Sequence, residues 1–228
     1  MKIGVISDIH SNSIALEQVL EALSDRGVDE ILCAGDLVGY GSQPNRVMRL
    51  LKIADVESVM GNHDEGVVNG TPPEFNVQAK RALDWNRRNI DSDYVELLDQ
   101  LPLQIRKTID GSEIFVVHGS PRNPLSEYIY ESDLDRGFLE FSFKSPPEIL
   151  VLGQTHTPFI KKIGDTLVIN PGSVGQPRDG DPRASCAILD LAEMEAEILR
   201  VDYDQEAMAE DILEVLPKPL AERILYGE

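Results

Sequence analysis

Five polar clusters in this sequence could bind divalent metal ions, and each lies at the carboxyl end of a predicted strand. In chain order they are Asp8-Ile9-His10, Gly35-Asp36, Gly61-Asn62-His63-Asp64, His118-Gly119 and Gln154-Thr155-His156. They contain all four histidines of the chain. One cluster alone is weak evidence, because an Asp after a strand is more often a helix cap and a loop His is more often solvated. Five together indicate a metal centre, since imidazole, carboxylate and amide groups bind such metals.

The first third of the chain alternates short apolar runs with amphipathic patterns. These patterns predict strands at 2–7, 30–34 and 56–60, separated by helices at 14–25 and 45–53. A β-α-β-α-β order implies right-handed crossovers and a parallel sheet. Ligand sites of open α/β sheets lie at the carboxyl ends of the strands, which is where the first three clusters fall.

The rest of the chain is richer in strand patterns. Helices at 75–90 and 94–101 are followed by strands at 104–109 and 113–118 around the turn Asp110-Gly111. The remaining predicted elements are strands at 148–152, 159–163, 166–170, 184–191 and 197–203, and a helix at 205–215. Pro217 and Pro219 indicate a loose tail over 216–228. Because no linker or repeat interrupts the sequence, residues 1–228 are predicted to form one domain.

Residues 119–147 have no clear periodicity but are rich in aromatic side chains. These are Tyr128, Tyr130, Phe138, Phe141 and Phe143. Long loops of compact domains are usually functional or mobile. We therefore predict an ordered excursion over the domain that acts as a lid, fills space against the sandwich, or contacts a partner or a second subunit.

The charge of the chain limits its partners. Lys and Arg number 21 against 40 Asp and Glu, a net charge of −19. Such a surface repels phosphate backbones, so binding to long nucleic acid is disfavoured. No apolar run approaches the roughly 18–20 residues of a membrane span, and the first ten residues are not a secretory signal, so we expect a cytoplasmic protein. Cys33 and Cys186 lie in apolar runs and are predicted to be buried, reduced thiols.

The order of the five clusters resembles the calcineurin-like metallophosphoesterase superfamily. The stretches GDLVGYGSQPN and NPGSVGQPRDGDPRAS are similar to its prokaryotic branch of phosphodiesterase-like or diadenosine-tetraphosphatase-like proteins. The resemblance runs from residue 1 to about residue 203. It implies an α/β fold in which two β-sheets form a sandwich flanked by helices, a four-layer αββα arrangement. That fold agrees with the alternating first third and the strand-rich remainder.

The resemblance also implies a pair of metal ions. The ligands of the first metal would be Asp8, His10, Asp36 and His156, and those of the second would be Asp36, Asn62, His118 and residue 154. Asp36 would bridge the two ions, which together clamp a phosphoryl group and a hydroxide. Mixed nitrogen and oxygen donors favour Mn, Fe, Co, Ni or Zn over Mg, which prefers oxygen ligands.

Three residues near the ligands have expected roles in catalysis or substrate binding. His63 is the family's expected acid or hydrogen-bond donor toward the phosphate. Asp64 could orient that imidazole or cap the segment that follows it. Asn12 could contact a phosphate oxygen or cap the first helix. The expected substrate contacts are therefore Asn12, Asn62 and His63.

Gln154 is the one departure from the family pattern, which usually has His at this position. A Gln can ligate only through its amide oxygen, which is a weaker donor than imidazole toward these metals. Three outcomes stay open: a looser second site, a vacancy filled by water or substrate, or a one-metal protein of low activity.

These residues predict hydrolysis of a small phosphodiester, phosphomonoester or nucleotide by a metal-bound hydroxide. A protein phosphatase is a neighbouring alternative. The Arg of the protein-phosphatase pattern GDxVDRG is missing from the corresponding stretch GDLVGYG. Arg122, Arg178 or Arg183, from other parts of the chain, could replace it. A catalytically weak scaffold that keeps the fold is the alternative from another class. Gln154 and the segment 119–147 would suit it, and a homo-oligomer is left open.

Overall fold

Two β-sheets lie at the centre of the computed structural model, which describes residues 1–73 and 75–228. The strands in these residues are β1 (Lys2–Ile6), β2 (Glu30–Cys33), β3 (Glu57–Ser58), β4 (Gln104–Ile109), β5 (Ser112–Val117), β6 (Ile149–Val151), β7 (Phe159–Ile163), β8 (Thr166–Asn170), β9 (Ala184–Asp190) and β10 (Glu195–Val201). The first sheet has the order β10-β9-β1-β2-β3, and the second has the order β4-β5-β6-β8-β7. Both sheets are mixed, with parallel pairs at β1-β2-β3 and β5-β6-β8.

Helices cover the outer faces of the two sheets. They are α1 (Ser13–Asp25), α2 (Pro44–Ile53), α3 (Asn62–Asn69), α4 (Val77–Asn89), α5 (Ser92–Asp99), α6 (Arg136–Ser142), α7 (Gln205–Val215) and α8 (Lys218–Tyr226). Across the described part of the chain, no helix combines the length and the apolar character that crossing a membrane requires.

Alternate residues of one strand face different layers, as the two-residue period of a strand requires. Val5 of β1 and Val116 of β5 belong to the buried cluster between the two sheets. Ile6, the next residue of β1, belongs to the cluster that the first sheet forms with its helices. Val117 of β5 belongs to a third cluster, on the outer face of the second sheet. The layers are therefore helix, sheet, sheet and helix, and the predicted αββα sandwich is confirmed.

The excursion 119–147 forms the outer layer of the second sheet. It contains a short 3₁₀ turn at Glu131–Asp133 and the helix α6. Its buried side chains, which pack with those of β5, β6 and β8, are Ile129, Leu134, Phe138 and Leu139. Tyr128, Tyr130 and Phe141 are exposed. The predicted ordered segment is thus present, and its role as a lid stays a prediction.

The segment 216–228 is not the predicted loose tail. It contains α8, whose residues Leu220, Ala221 and Ile224 are buried against the cluster on the helical side of the first sheet. Pro219 does not prevent this helix, because it lies in the first turn, where a proline removes no helical hydrogen bond. The two prolines mark the start of a helix rather than the end of the fold.

Two elements near the polar clusters also differ from the prediction. β3 is only Glu57–Ser58, shorter than the predicted 56–60, and the helix α3 was not predicted. The sequence of α3 contains Gly66 followed by two valines, which are weak helix formers. Asp64 stabilises its first turn by accepting a hydrogen bond from the amide of Gly61 at 2.9 Å. The other predicted strands and helices agree with the structure to within about two residues at each end.

Candidate metal centre

The five polar clusters lie together at the carboxyl ends of β1, β2, β3, β5 and β6. Backbone hydrogen bonds join their loops: the amide of Asp8 donates to the carbonyl of Gly35 at 2.9 Å, and the amide of His10 donates to that of Asp36 at 3.0 Å. The amide of Gly153 donates to the carbonyl of His118 at 2.9 Å. The loops of the two sheets therefore form one continuous site, and all the predicted ligands are brought into it.

The backbone of this site is strained. Five of the predicted ligands have a left-handed φ between 49° and 68°, namely Asp8, His10, Asp36, Gln154 and His156. Non-glycine residues rarely adopt this region, and such strain is concentrated in active sites, where the surrounding structure enforces it. These residues all lie in the loops that follow β1, β2 and β6.

Three imidazole rings are oriented by the main chain. Nδ1 of His10 lies 3.2 Å from the carbonyl of Val38, and Nδ1 of His118 lies 2.7 Å from that of Ala34. Nδ1 of His156 lies 2.5 Å from the carbonyl of Gln176. A carbonyl only accepts, so Nδ1 carries the proton in each ring and Nε2 of a neutral ring presents a lone pair. This is the arrangement in which a histidine binds a metal through Nε2.

The first group of donors consists of Asp8, His10 and His156. Nε2 of His10 is 3.1 Å from Nε2 of His156, and Oδ1 of Asp8 is 3.2 Å from Nε2 of His156. Oδ1 of Asp8 is buried and has no hydrogen-bond partner among the described residues. Lone pairs that converge in a buried space repel each other unless a cation lies between them. The donors therefore fit a divalent metal.

Burial and neighbouring charges keep the rings of His10 and His156 in the neutral form that binds metal. Burial, reinforced by the nearby imidazoles and the guanidinium of Arg178, holds the pKa of His10 well below its usual value. Burial and Arg178 also lower the pKa of His156, and both rings are neutral at pH 7. Burial would raise the pKa of Asp8, but the combined contributions of His156, His118 and the hydroxyl of Ser7 outweigh it, so the pKa is lowered.

Asp36 connects the first group of donors to the second. Its Oδ2 is 3.5 Å from Nε2 of His10 and also 3.5 Å from Nε2 of His118. Its Oδ1 accepts a hydrogen bond from the amide of His63 at 2.8 Å, which fixes the plane of the carboxylate. Burial raises the pKa of Asp36 well above its usual value, so this carboxylate is ionised only with positive charge beside it. The position suits a carboxylate shared by two metals.

The second group contains His118, Gln154 and Asn62. Oε1 of Gln154 lies 2.6 Å from Nε2 of His118, whose Nδ1 already donates to a carbonyl. The amide nitrogen of Gln154 donates to the carbonyl of Leu125 at 3.4 Å, which turns Oε1 toward the site. Oδ1 of Asn62 is buried without a hydrogen-bond partner among the described residues. A buried amide oxygen without a partner is rare in folded proteins, and it is a group that a cation could satisfy.

His63 lies at the mouth of the site among aromatic rings. Its ring centroid is 4.5 Å from that of Tyr40 and 4.8 Å from that of Phe75. The ring packs directly on Gly39, where an added Cβ would lie 2.3 Å from Nδ1 of His63 and where φ is +101°. Burial and the charge of Arg178 hold the pKa of His63 well below its usual value. The ring is therefore neutral, and it faces the cleft that leads to the donors.

Asp64 and Asn12 serve as caps. The carboxylate of Asp64 accepts from the amides of Gly61 at 2.9 Å and Val38 at 3.1 Å, so it ties two ligand loops together instead of orienting His63. Burial raises the pKa of Asp64 to about 6. Oδ1 of Asn12 accepts from the amide of Ala15, and its Nδ2 donates to the carbonyl of Gly175. These contacts support neither a catalytic role for Asp64 nor a phosphate contact for Asn12.

A cleft of about 750 Å³ opens from the donors to the surface. Asn62, His63 and Gln154 form its inner end, and Phe75 and Tyr128 are among its walls. Tyr40, Phe75 and Tyr128 were not predicted as site residues. The sequence could have indicated Tyr40, because it follows Asp36 within one glycine-rich loop. Nothing in the sequence places Phe75 beside a histidine. The volume lies in the range of small-molecule sites.

One of the three arginines considered in the sequence lies at this site. Arg122 pairs with Glu127, and Arg183 pairs with Asp181. The guanidinium carbon of Arg178 instead lies 5.5 Å from the ring centroid of Tyr40. Its charge is close enough to lower the pKa of His63. It provides positive charge next to the candidate metal centre.

Known proteins share both the sequence pattern and the fold. The family model of the calcineurin-like phosphoesterase superfamily domain matches residues 1–194. An uncharacterized protein of Methanocaldococcus jannaschii is 37% identical, over 99% of this chain and 98% of its own. Phosphodiesterase YfcE of Escherichia coli K12 is 25% identical, over 83% of this chain and 88% of its own. A crystal structure of a metallophosphoesterase from Sphaerobacter thermophilus matches with a TM-score of 0.83 and 35% identity, over 100% of this chain and 99% of its own. The family predicted from the five clusters is confirmed: this chain belongs to the calcineurin-like phosphoesterase superfamily.

Proposed function

We propose that this chain hydrolyses a small phosphodiester, phosphomonoester or nucleotide with the help of two divalent transition-metal ions. The observation that carries the proposal is the position of Asp36, whose Oδ2 lies 3.5 Å from the imidazole nitrogens of two separate donor groups. Membership of a phosphoesterase family supports the type of reaction.

The donors divide into two sets that share Asp36. The first metal would be held by Asp8, His10, Asp36 and His156, and the second by Asp36, Asn62, His118 and Gln154. Imidazole nitrogens mixed with carboxylate and amide oxygens favour Mn, Fe, Co, Ni or Zn. Two divalent ions bound here would supply Lewis acidity toward phosphoryl oxygens and a nucleophile at neutral pH.

The other residues of the cleft would bind and orient the substrate. Neutral His63 would donate a hydrogen bond to a phosphate oxygen or to the departing group. Arg178 would add positive charge outside the metal centre. Phe75 and Tyr128 would pack against the organic part of the ester. The net charge of −19 favours a small substrate over a long nucleic acid.

The scaffold alternative is less well supported than the enzyme. All seven predicted ligand positions carry a donor, and the donors converge even though Gln154 replaces the usual histidine. The feature that favours a scaffold is the exposed aromatic surface of the excursion, where Phe141 is 77% exposed. The strained ligand loops also support the enzyme, because backbone strain of this kind is concentrated at active sites.

Metal analysis combined with hydrolysis assays tests the proposed function. The chelated protein would be reconstituted with Mn, Co, Ni or Zn and assayed with p-nitrophenyl phosphate and bis-p-nitrophenyl phosphate. We expect turnover that depends on the added metal, with two ions bound per chain. The proposal would be overturned if no metal gave turnover above the chelated protein.

Replacement of Gln154 by His tests the second set of donors. Imidazole is the stronger ligand, so we expect the dissociation constant of the weaker metal to fall about tenfold, which corresponds to about 1.4 kcal/mol. The measurement is a metal titration followed by calorimetry. Gln18→His, on the exposed side of α1, controls for weak binding to a surface histidine. Unchanged affinity in Gln154→His would show that residue 154 is not a ligand.

A further inference from the structure

Two arginine side chains lie over the ring of Tyr40. The guanidinium carbon of Arg178 is 5.5 Å from the ring centroid, and that of Arg223 is 5.9 Å from it. The same ring lies 4.7 Å from the ring of His10 and 4.5 Å from that of His63. Both arginines are therefore separated from the candidate metal centre by a single aromatic ring.

Neither guanidinium is paired with a carboxylate of the described residues. Six other arginines form ion pairs with Asp or Glu, at positions 26, 46, 106, 122, 183 and 200. Arg178 donates to the side-chain oxygen of Gln176 at 3.1 Å, a neutral partner. In a chain with a net charge of −19, two unpaired cations beside one ring form a local region that attracts anions.

The end of the chain holds Arg223 in this place. Leu220 and Ile224 of α8 are buried in the same cluster as Tyr40. The carbonyl of Gly227 accepts a hydrogen bond from the amide of Gly180 at 3.0 Å, which ties the end of α8 to the loop that carries Arg178. The backbone that carries both arginines is therefore fixed before a ligand arrives, so less order has to be imposed on binding.

We propose that Arg178 and Arg223 form an anion subsite that binds a second phosphate group of the substrate, next to the phosphate that reacts. This inference rests on the proposed function and narrows it to phosphate esters that carry at least two phosphate groups. A guanidinium suits this task because its planar donors can make two parallel hydrogen bonds to phosphate oxygens. The match to the family model ends at residue 194, so α8 adds Arg223 to the domain from outside the matched region.

The subsite predicts a selective loss of affinity for ligands with two phosphates. Calorimetry on the metal-loaded full chain would compare inorganic phosphate with pyrophosphate. In Arg223→Gln we expect the affinity for pyrophosphate to fall about tenfold more than the affinity for phosphate, because one charged hydrogen-bonding group is lost. Arg223→Lys keeps the charge and the apolar stem, so its loss should be smaller.

Controls separate this inference from the proposed function and from effects on folding. Arg49 is exposed on α2, and Arg49→Gln should bind both ligands as the wild type does. Equal losses for the two ligands, or no loss, would overturn the subsite even if esters are hydrolysed. If Arg223→Gln does not fold, Arg223→Lys takes its place in the comparison. The subsite would then be overturned if Arg223→Lys bound pyrophosphate as tightly as Arg49→Gln does. A wild type that binds pyrophosphate selectively but hydrolyses no ester would contradict the proposed function alone.

Discussion

Replacement of Asp36 by Asn is expected to lower kcat for bis-p-nitrophenyl phosphate by about 10³-fold, because the charge that would bridge two metals is worth several kcal/mol in the transition state. Asn has nearly the same shape as Asp, so the hydrogen bond from the amide of His63 can still be made. The loss should therefore come from the missing charge rather than from a collapsed loop. Metal analysis should find fewer than two ions per chain.

The matched control is Asp110→Asn. Asp110 lies in the turn between β4 and β5, at the end of β5 opposite to His118, and it has a left-handed φ of 50° like that of Asp36. Asn tolerates this conformation, so both variants make the same chemical change in similar backbone. Asp110→Asn should keep both metals and full activity. An Asp36→Asn protein with two tightly bound metals and normal kcat would exclude the bridging role.

Removal of the metals is expected to lower the Tm by about 5–10 °C for each site. A ligand at 100 times its Kd stabilises the folded state by about 2.7 kcal/mol, and about 1 kcal/mol shifts the Tm of a protein of this size by 2–4 °C. The physical cause is the buried set of lone pairs, where the nitrogens of His10 and His156 face each other at 3.1 Å.

Differential scanning calorimetry of the chelated and metal-loaded protein measures this effect. The Tm should rise with metal concentration, and the rise should be smaller in Asp36→Asn than in Asp110→Asn. If the Tm of the wild type did not depend on metal, the buried donor atoms would need no cation between them, and the proposed metal centre would be contradicted.

The convergence of the predicted ligands in a candidate metal centre could be predicted because it follows from local patterns. Apolar runs alternate with helical patterns in the first third, and Asp8, Asp36 and Asn62 each follow such a run. Parallel strands end at the same edge, so residues far apart in sequence meet there. His118 and Gln154 follow the same rule in the second sheet. Strand ends are the most informative part of this sequence.

The remainder of the site depends on tertiary contacts that no local pattern records. Pro217 and Pro219 suggested a loose tail, whereas burial of Leu220 and Ile224 makes that segment a helix and brings Arg223 to Tyr40. Asp64 directly follows His63 in the sequence and could have oriented its ring, but its carboxylate accepts hydrogen bonds from backbone amides instead. For α8 the deciding partners lie in a different part of the chain, and for Asp64 one of the two, Val38, does.

The excursion sets a limit on how the cleft can widen. Leu125, Ser126 and Tyr128 line the cleft, whereas Ile129, the next residue, is buried in the outer layer of the second sheet. Moving the segment beyond this point would expose the apolar face of that sheet to water, at a cost of about 25 cal/mol for each Å². A movement of the excursion that keeps this layer packed is therefore limited to the short stretch before Ile129. The inner end of the cleft, formed by Asn62, His63 and Gln154, would then keep its depth while only this side of the rim adjusts.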